Sequence, residues 1–174
     1  MGQKVTDSLS KCNLLNDYFS NVFTKDDGNA PRIECSQICV PPLVVPESNV
    51  FEAISALRAE SAAGPDKIPS DFLMRIARSI TPVLTVLFNR NISETFVPIV
   101  WKMAYVTPIF KKGSKTQPAN YRPISLTCHF SKIMERIIKW HLFRYLQTYS
   151  KLEDGQHGYC PGLSTVTSLL DFYD

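Results

Sequence analysis

Four cationic side chains clustered in one stretch of the sequence form the best candidate site for chemistry. They are Lys111, Lys112, Lys115 and Arg122, with Gly113 between the lysines. Ammonium groups act as mobile point charges toward phosphate, whereas the planar guanidinium group can bind two phosphate oxygens at once. A glycine among them lets the backbone approach a ligand closely. This composition favours a site for phosphate groups.

The composition of this stretch is compatible with two interpretations. Tyr105 and Tyr121 flank it and could stack on bases or sugars, which favours a nucleic-acid site. A solvated loop is the alternative, because lysines at a sheet edge prevent edge-to-edge aggregation without binding any ligand. The residue types alone do not separate the two.

The distribution of charge is more informative than the formal net charge of +3. No acidic residue lies between Glu94 and Glu135, and six of the 19 basic residues fall in that interval. The rest of the chain therefore has 13 basic and 16 acidic residues, a balance of −3. A cationic segment on an otherwise slightly acidic chain indicates a polyanionic partner.

Strand and helix patterns surround the cationic segment. The β-branched and aromatic runs 104–110 and 121–126 predict a β-hairpin with a long basic tip. Pro108 and Pro123 place both strands at the margin of a sheet, because proline cannot donate to a ladder. Amphipathic patterns predict helices on both sides of the hairpin. We therefore expect an α+β fold that is predominantly helical.

Six helices are predicted from apolar spacing; the apolar faces of the second, third and fourth are expected to form core, and that of the last to face inward. Ser70 is expected to cap the third helix, and Thr81-Pro82 to begin the fourth. The apolar faces comprise, in chain order, Leu14, Phe19 and Phe23; Val50, Ile54 and Leu57; Phe72, Leu73 and Ile80; Val83, Leu84 and Phe88; Ile133, Met134 and Ile137; and Val166, Leu169, Leu170 and Tyr173.

Patterns for metal binding are weak. Cys35 and Cys39 form the only close cysteine pair and lack a second pair of ligands, so a zinc site is not expected. Asp171 and Asp174 share one helical face, but nothing nearby adds a third ligand. The three histidines are scattered without metal-ligand spacing. We expect neither a metal site nor a catalytic residue.

The sequence has no apolar run of about 18 residues, so a transmembrane helix and a membrane partner are not expected. Its first residues lack the pattern of a signal peptide. With an odd number of cysteines and no secretion signal, we expect reduced thiols and an intracellular protein, in the cytoplasm or nucleus.

Several motifs in order resemble the reverse transcriptases of non-LTR (LINE-type) retrotransposons. Residues 104–113 (Ala-Tyr-Val-Thr-Pro-Ile-Phe-Lys-Lys-Gly) and 120–127 (Asn-Tyr-Arg-Pro-Ile-Ser-Leu-Thr) are similar to the finger motifs of that family. Residues 64–69 resemble its Gly-Pro-Asp-Gly-Ile-Pro turn, with Lys67 in place of glycine. Residues 156–159 (Gln-His-Gly-Tyr) resemble the next motif. The resemblance covers nearly the whole chain.

The resemblance implies roles for individual residues. In such enzymes the fingers hold the template and close over the incoming nucleotide, so Lys111, Lys112 and Arg122 would contact the triphosphate. The implied contacts to the template or other nucleic acid are Lys102, Gly113, Lys115, Tyr121, Gln156, Gly158, Tyr159 and Gly162. The implied partners are an RNA template or RNA–DNA hybrid and a deoxynucleoside triphosphate. Mg²⁺ is the cofactor of the intact family, and no cofactor is expected in this part of it.

The chain departs from the family pattern in two respects. Cys160 and Leu163 stand where the family has arginines, which removes two phosphate partners. The palm-strand aspartate and the aromatic-Ala-Asp-Asp turn, whose carboxylates bridge Mg²⁺ to the reacting oxygens, would come after Asp174.

The expected function is therefore that of a truncated RNA-directed DNA polymerase. Residues 1–46 are predicted to form an upstream helix and a proline-rich connector. Residues 47–174 are predicted to form the N-terminal part of a reverse transcriptase domain, with the fingers and an incomplete palm. We expect it to be inactive alone, with the missing palm and thumb as its packing partner. The alternatives are a non-functional retrotransposon relic and a helical protein-interaction module.

Overall fold

The computed structural model describes residues 5–24, 40–152 and 155–173. Seven helices and two strands follow one another in these ranges. They are α1 (Ser8–Val22), α2 (Glu47–Ser55), α3 (Ser70–Arg75), α4 (Ala77–Ser93), α5 (Ile99–Lys102), β1 (Ala104–Phe110), β2 (Tyr121–Thr127), α6 (His129–Thr148) and α7 (Thr165–Tyr173), with a 3₁₀ turn at Pro118–Asn120. The expected α+β fold class with mostly helical content is confirmed.

The hydrophobic core lies where α2 packs against α4 and α6. Ile54, Phe88 and Ile133 come from these three helices and are completely buried. Leu73 from α3 closes one side of the same cluster. Each such side chain contributes about 1.5–3 kcal/mol of burial free energy, so this cluster is the main source of stability. Most predicted core positions of α2, α3 and α4 are confirmed, but Phe72 and Val83 were wrongly predicted and are exposed.

A stack of aromatic rings connects the core to the hairpin. Trp101 of α5 lies edge-on to Phe88, with ring centroids 5.8 Å apart, and is stacked with Phe130 of α6 at 6.5 Å. Because α5 ends two residues before β1 begins, these rings fix the base of the hairpin on the helical layer. The pattern of the sequence did not predict α5.

Strands β1 and β2 form the predicted antiparallel hairpin. Ala104 is paired with Thr127 at its base and Phe110 with Tyr121 at its tip. Pro108 and Pro123 face each other in the middle of the register, at a step where neither residue has an N–H to donate. In the described part of the chain these strands form a two-stranded sheet, so each has one unpaired edge.

Two predicted helix boundaries were wrong. Ser70 does not cap α3, because it is the first helical residue and its hydroxyl donates to the carbonyl groups of Arg58 and Ala59, at 2.7 and 2.9 Å. Pro82 does not begin α4 but lies inside it. The helix tolerates this proline because Pro82 and Arg78, whose carbonyl group loses its partner, are both on the solvent-exposed side.

The first and last helices are poorly buried, and the prediction that the apolar face of the last one points inward was wrong. On α1 only Phe19 is buried, whereas Leu14 and Val22 are exposed. On α7 the side chains of Val166 and Leu170 are about 60% exposed, and the other predicted inward residues, Leu169 and Tyr173, are exposed as well. Amphipathic spacing is present in both helices; among the described elements α1 contacts mainly the 3₁₀ turn at Pro118–Asn120, and α7 has no comparable contact.

The end of the predicted connector packs on the core. Val45 is buried, and the side-chain amide of Asn89 in α4 binds both its N–H and its carbonyl group, at 2.8 and 2.9 Å. Residues 25–39 of the predicted upstream region, and the Cys35–Cys39 pair with them, lie outside the described residues. No helix in the described ranges is long and apolar enough to cross a membrane.

Candidate nucleic-acid interface

The lysine loop, defined as residues 111–119, joins the two strands of the hairpin. Lys111, Lys112 and Lys115 are all exposed. The loop is closed at its base by the backbone N–H of Lys111, which donates to the carbonyl oxygen of Asn120 at 2.8 Å. The structure therefore places three of the predicted phosphate- and nucleic-acid-binding lysines together on one loop.

Contacts within the lysine loop hold its backbone in one conformation. The amide nitrogen Nδ2 of Asn120 donates to the carbonyl oxygen of Ser114 at 2.8 Å, and the hydroxyl groups of Ser114 and Thr116 are 2.7 Å apart. Gly113 has a φ angle of +88°, in the left-handed region that glycine adopts at low cost. Few residues with a side chain adopt that backbone conformation at low cost. Gly113 is therefore needed for the turn itself, in addition to any close approach of a ligand.

Two aromatic rings support the other side of the loop. Phe110 and Tyr121 are paired across the hairpin, with centroids 5.5 Å apart. The hydroxyl group of Tyr121 donates to the carbonyl oxygen of Lys115 at 2.9 Å, and Nζ of Lys115 lies 5.7 Å from the centroid of Phe110. Tyr121 thus has a structural contact to the loop, and the Lys115 ammonium group is attracted to an aromatic face.

Arg122 is exposed and lies on the opposite face of the hairpin from Tyr121. It is paired with Ile109, and alternation along the strands puts Tyr105 and Ile124 on the same face. Tyr105, Ile109 and Ile124 are between 37% and 50% exposed, so apolar surface adjoins the guanidinium group. This face combines a fork of hydrogen-bond donors with surface on which a base or sugar can pack.

The cations of the hairpin have no acidic partner in the described part of the chain. The ion pairs found there are Arg75–Asp71, Arg90–Glu94 and His157–Asp171. None of these involves the hairpin, consistent with the acid-free interval in the sequence. Lys102, at the end of α5, is exposed near the base of β1. The charge of this region is therefore available to a bound anion.

A turn at residues 64–67 packs against the junction of β2 and α6. A Cβ atom at Gly64 would lie 2.5 Å from the backbone nitrogen of Cys128, which leaves no room for a side chain. Lys67, which stands in the place of the family's glycine, has a φ angle of +57°. The left-handed backbone gives a physical reason for glycine at that position. The sequence motif pointed to this turn without showing what it touches.

Two buried titratable groups lie at the same junction. The Cys128 thiol donates to the carbonyl oxygen of Val100 at 3.5 Å, and burial raises its pKa, so it stays protonated. His129 is completely buried, and neither ring nitrogen has a hydrogen-bond partner. Burial lowers the pKa of His129, and the charge of Lys132 lowers it further, against smaller raising effects from Asp66 and the backbone of Ser61. Both groups are neutral packing elements here.

A second predicted segment, residues 155–164, forms a loop in front of α7. Gln156 donates its side-chain amide to the carbonyl oxygen of Gly158 at 2.9 Å. Tyr159 is 92% exposed with a φ angle of +64°, and Gly162 has a φ angle of +80°. The four predicted nucleic-acid-binding residues of this segment thus lie on one loop, beside an open cavity of about 590 Å³ that Ser164 and Ser168 help to line.

His157 holds this loop to α7, a role that the sequence pattern did not reveal. Its Nδ1 atom lies 2.8 Å from the Thr167 hydroxyl and its Nε2 atom 2.8 Å from Oδ2 of Asp171. Asp171 is therefore engaged by a histidine, and Asp174 lies outside the described residues. No group of three or more histidine, cysteine, aspartate or glutamate side chains placed to share a metal ion occurs in the described ranges.

Comparison with known proteins gives several relatives, although no protein-family model matches the chain. The chain is 31% identical over 131 residues to a probable RNA-directed DNA polymerase from transposon BS of Drosophila melanogaster, covering 75% of this chain. It is 31% identical over 121 residues to a probable RNA-directed DNA polymerase from transposon X-element of the same species, covering 69%. A third relative, the RNA-directed DNA polymerase from mobile element jockey, is 30% identical over 59% of the chain. The matched segment is only 11% to 14% of the length of these relatives.

Proposed function

We propose that the hairpin is the phosphate-binding part of a polymerase fingers region, since this chain is a relative of the reverse transcriptases of non-LTR retrotransposons. Its ligands are the phosphates of an RNA template and of an incoming deoxynucleoside triphosphate. The single observation that carries this proposal is the set of exposed cations on the hairpin, at Lys111, Lys112 and Arg122, with no ion-pair partner in the described part of the chain.

The two kinds of cation make different contributions. Lys111 and Lys112 extend from the lysine loop and attract any phosphodiester backbone, which gives affinity without sequence preference. Arg122 stands on the hairpin face beside Ile109 and Ile124, where its planar group can bind a phosphate while a base or sugar packs on the neighbouring side chains. This arrangement suits a nucleotide, which presents both chemistries at once.

Residues 1–174 alone are proposed to bind without synthesising DNA. Two-metal nucleotidyl transfer needs carboxylates that hold Mg²⁺ at the attacking and leaving oxygens. Asp171 of α7 is hydrogen-bonded to His157. In this proposal the hairpin residues bind and orient phosphate, and no chemical step is assigned to them.

Salt-dependent RNA binding tests the proposal. The affinity of the chain for a fluorescein-labelled 20-nucleotide oligo(U) is measured by anisotropy between 50 and 300 mM KCl. Replacing Lys111 and Lys112 with alanine removes two phosphate contacts, which lowers the slope of log K against log[salt] by about 1.4 for a single strand. The charge-matched control is Lys139→Ala with Lys151→Ala, two exposed lysines outside the hairpin, which should change the slope far less.

Two results would count against the proposal. Equal loss of slope in the hairpin and control variants would remove the hairpin as a specific anion site. Primer extension by the purified chain on poly(rA)·oligo(dT), with Mg²⁺ and dTTP, would contradict the statement that it binds without catalysis.

A second candidate is a protein-interaction module, favoured by exposed apolar side chains on two helices. Val83 and Val86 on α4, and Phe172 on α7, are between 66% and 83% exposed. Surfaces of this kind mark contact sites for another protein or domain, and in the reverse-transcriptase reading that partner is a palm and thumb. Gel filtration separates the candidates, because a stable monomer that binds RNA supports the first and an RNA-inert oligomer supports the second.

A further inference from the structure

We propose that Asn120 is a positioning residue that holds the lysine loop in its binding conformation before any ligand arrives. This inference rests on the proposed function of the hairpin, since it concerns how that same site is prepared. Asn120 carries no charge and directs no free donor at a ligand. Its contribution comes from the loop residues that it connects.

Asn120 joins both ends of the lysine loop. Its carbonyl oxygen accepts the backbone N–H of Lys111 at 2.8 Å, which closes the loop above the last strand pair. Its side-chain nitrogen Nδ2 donates to the carbonyl oxygen of Ser114 at 2.8 Å, which holds the middle of the loop. One residue therefore fixes the backbone on both sides of Lys112 and Gly113.

The shape of the loop matches this side chain. A Cβ atom at Gly113 would lie only 2.7 Å from Nδ2 of Asn120, so the amide group occupies the space that a side chain at that position would need. The φ angle of +88° at Gly113 turns the backbone around the amide. The absence of a side chain at Gly113 thus leaves the space that the hydrogen-bonding amide group of Asn120 occupies.

A second contact completes the arrangement without depending on Asn120. The hydroxyl group of Tyr121 holds the carbonyl oxygen of Lys115 at 2.9 Å. Because Lys115 is tied at its carbonyl group, loss of the Asn120 contact frees mainly the segment from Lys111 to Ser114. A loop that is ordered in advance loses less conformational entropy when it binds, and this is the source of the proposed effect.

The test compares Asn120→Ala with Gln147→Ala, which removes an exposed amide on α6. With the labelled oligo(U) as probe, Asn120→Ala is expected to weaken binding about three- to tenfold, the usual range for ordering one or two flexible groups on binding. The slope of log K against log[salt] should not change, because no cation has been removed. Gln147→Ala should leave both quantities unchanged.

A double-mutant cycle shows whether Asn120 acts through Gly113. Gly113→Ala alone should weaken binding, through its collision with Nδ2 and its left-handed backbone. In the Asn120→Ala background the collision is absent, so the additional effect of Gly113→Ala should be smaller. Additive effects of the two substitutions would overturn the direct coupling of these residues.

Hydrogen exchange on the free chain provides a readout that needs no nucleic acid. Asn120→Ala should speed amide exchange in the lysine loop, whereas the core helices keep their protection. Wild-type affinity in Asn120→Ala, or unchanged exchange in the loop, would overturn the positioning role. Absence of salt-dependent binding by the wild-type chain would instead overturn the proposed function, and with it the binding role of Asn120.

Discussion

The imidazole of His157 lies between two partners on α7, and its Nε2 atom is 2.8 Å from Oδ2 of Asp171. The histidine is only 7% exposed, whereas the aspartate side chain is 65% exposed. The contact spans 14 residues of sequence and joins the loop that carries Gln156 and Tyr159 to the helix behind it. Because one partner is in solvent, its contribution is local and at most about 1 kcal/mol.

Asp171→Ala is therefore expected to loosen this loop without unfolding the protein. Amides in residues 155–164 should exchange about three- to fivefold faster, which corresponds to up to about 1 kcal/mol of local stability. The thermal midpoint should stay unchanged, because α7 contributes no residue to the core cluster. Mass spectrometry of exchanged peptides measures this, with Asp17→Ala as a control for loss of an exposed acid. Equal exchange in the two variants would show that the pair does not hold the loop.

Gly64→Ala is expected to destabilise the fold strongly. The added Cβ atom would lie 2.5 Å from the backbone of Thr127 and Cys128, and backbone cannot move aside as a flexible side chain can. Overpacking of this kind costs about 1–3 kcal/mol or more. Urea denaturation measures the loss, and Gly155→Ala is the matched control, since nothing lies within 4 Å of its added Cβ. Similar unfolding midpoints for the two variants would contradict the close contact.

Lys67→Gly is expected to stabilise the protein slightly. Lys67 has a φ angle of +57°, and a left-handed backbone costs a residue with a Cβ about 1–2 kcal/mol. Glycine avoids this cost but adds about 0.5–1 kcal/mol of unfolded-state entropy, so the net gain should be about 0.5–1 kcal/mol. The midpoint of urea unfolding should rise. Lys139→Gly, in the middle of α6, should lower the free energy of unfolding by about 1 kcal/mol. A lower urea midpoint in both variants would contradict the explanation.

Stability is expected to decrease as the pH falls below about 6.5, the ordinary pKa of histidine. Burial, with the charge of Lys132, lowers the pKa of His129 in the folded state. The unfolded chain therefore takes up a proton first, and folding loses up to about 1.4 kcal/mol per pH unit until the lower folded pKa is reached. Unfolding midpoints between pH 7.5 and 5.5 measure this.

Two variants identify the group responsible for this pH dependence. His129→Leu removes two ring nitrogens that have no partner and should flatten the decrease over that interval. His141→Gln, which changes a histidine bound to the carbonyl oxygen of Pro41, should retain it. An unchanged pH dependence in His129→Leu would assign the effect to another group.

Much of the candidate site was predictable from the sequence, because its signals are local. Two short β-branched runs separated by a polar basic loop define a hairpin, and the observed strands agree with the prediction to within one residue. The exposure of the three loop lysines and of Arg122 follows from their positions in this hairpin. Asn120, by contrast, was part of a recognised motif, but the pattern gave no sign of its contacts, since these depend on the path of the loop around Gly113.

The presence of most helices was also predictable from the sequence, whereas the burial or exposure of each apolar face was not. Spacing shows that a helix has an apolar side, and both α4 and α7 have one. Leu84 and Phe88 are buried because α2 packs against α4, whereas Val166 and Leu170 are exposed because no described helix or strand covers α7. Burial is a property of pairs of elements, and periodicity describes only one of them.

The sequence by itself thus determined six of the seven described helices, the hairpin, its concentration of charge and the family that its motifs resemble. Only the tertiary structure decided that Gly64 touches the β2–α6 junction, that His129 is buried without partners and that His157 binds Asp171. Local patterns follow from backbone geometry and side-chain type over a few residues. Contacts between distant residues depend instead on how the packed helices bring those segments together.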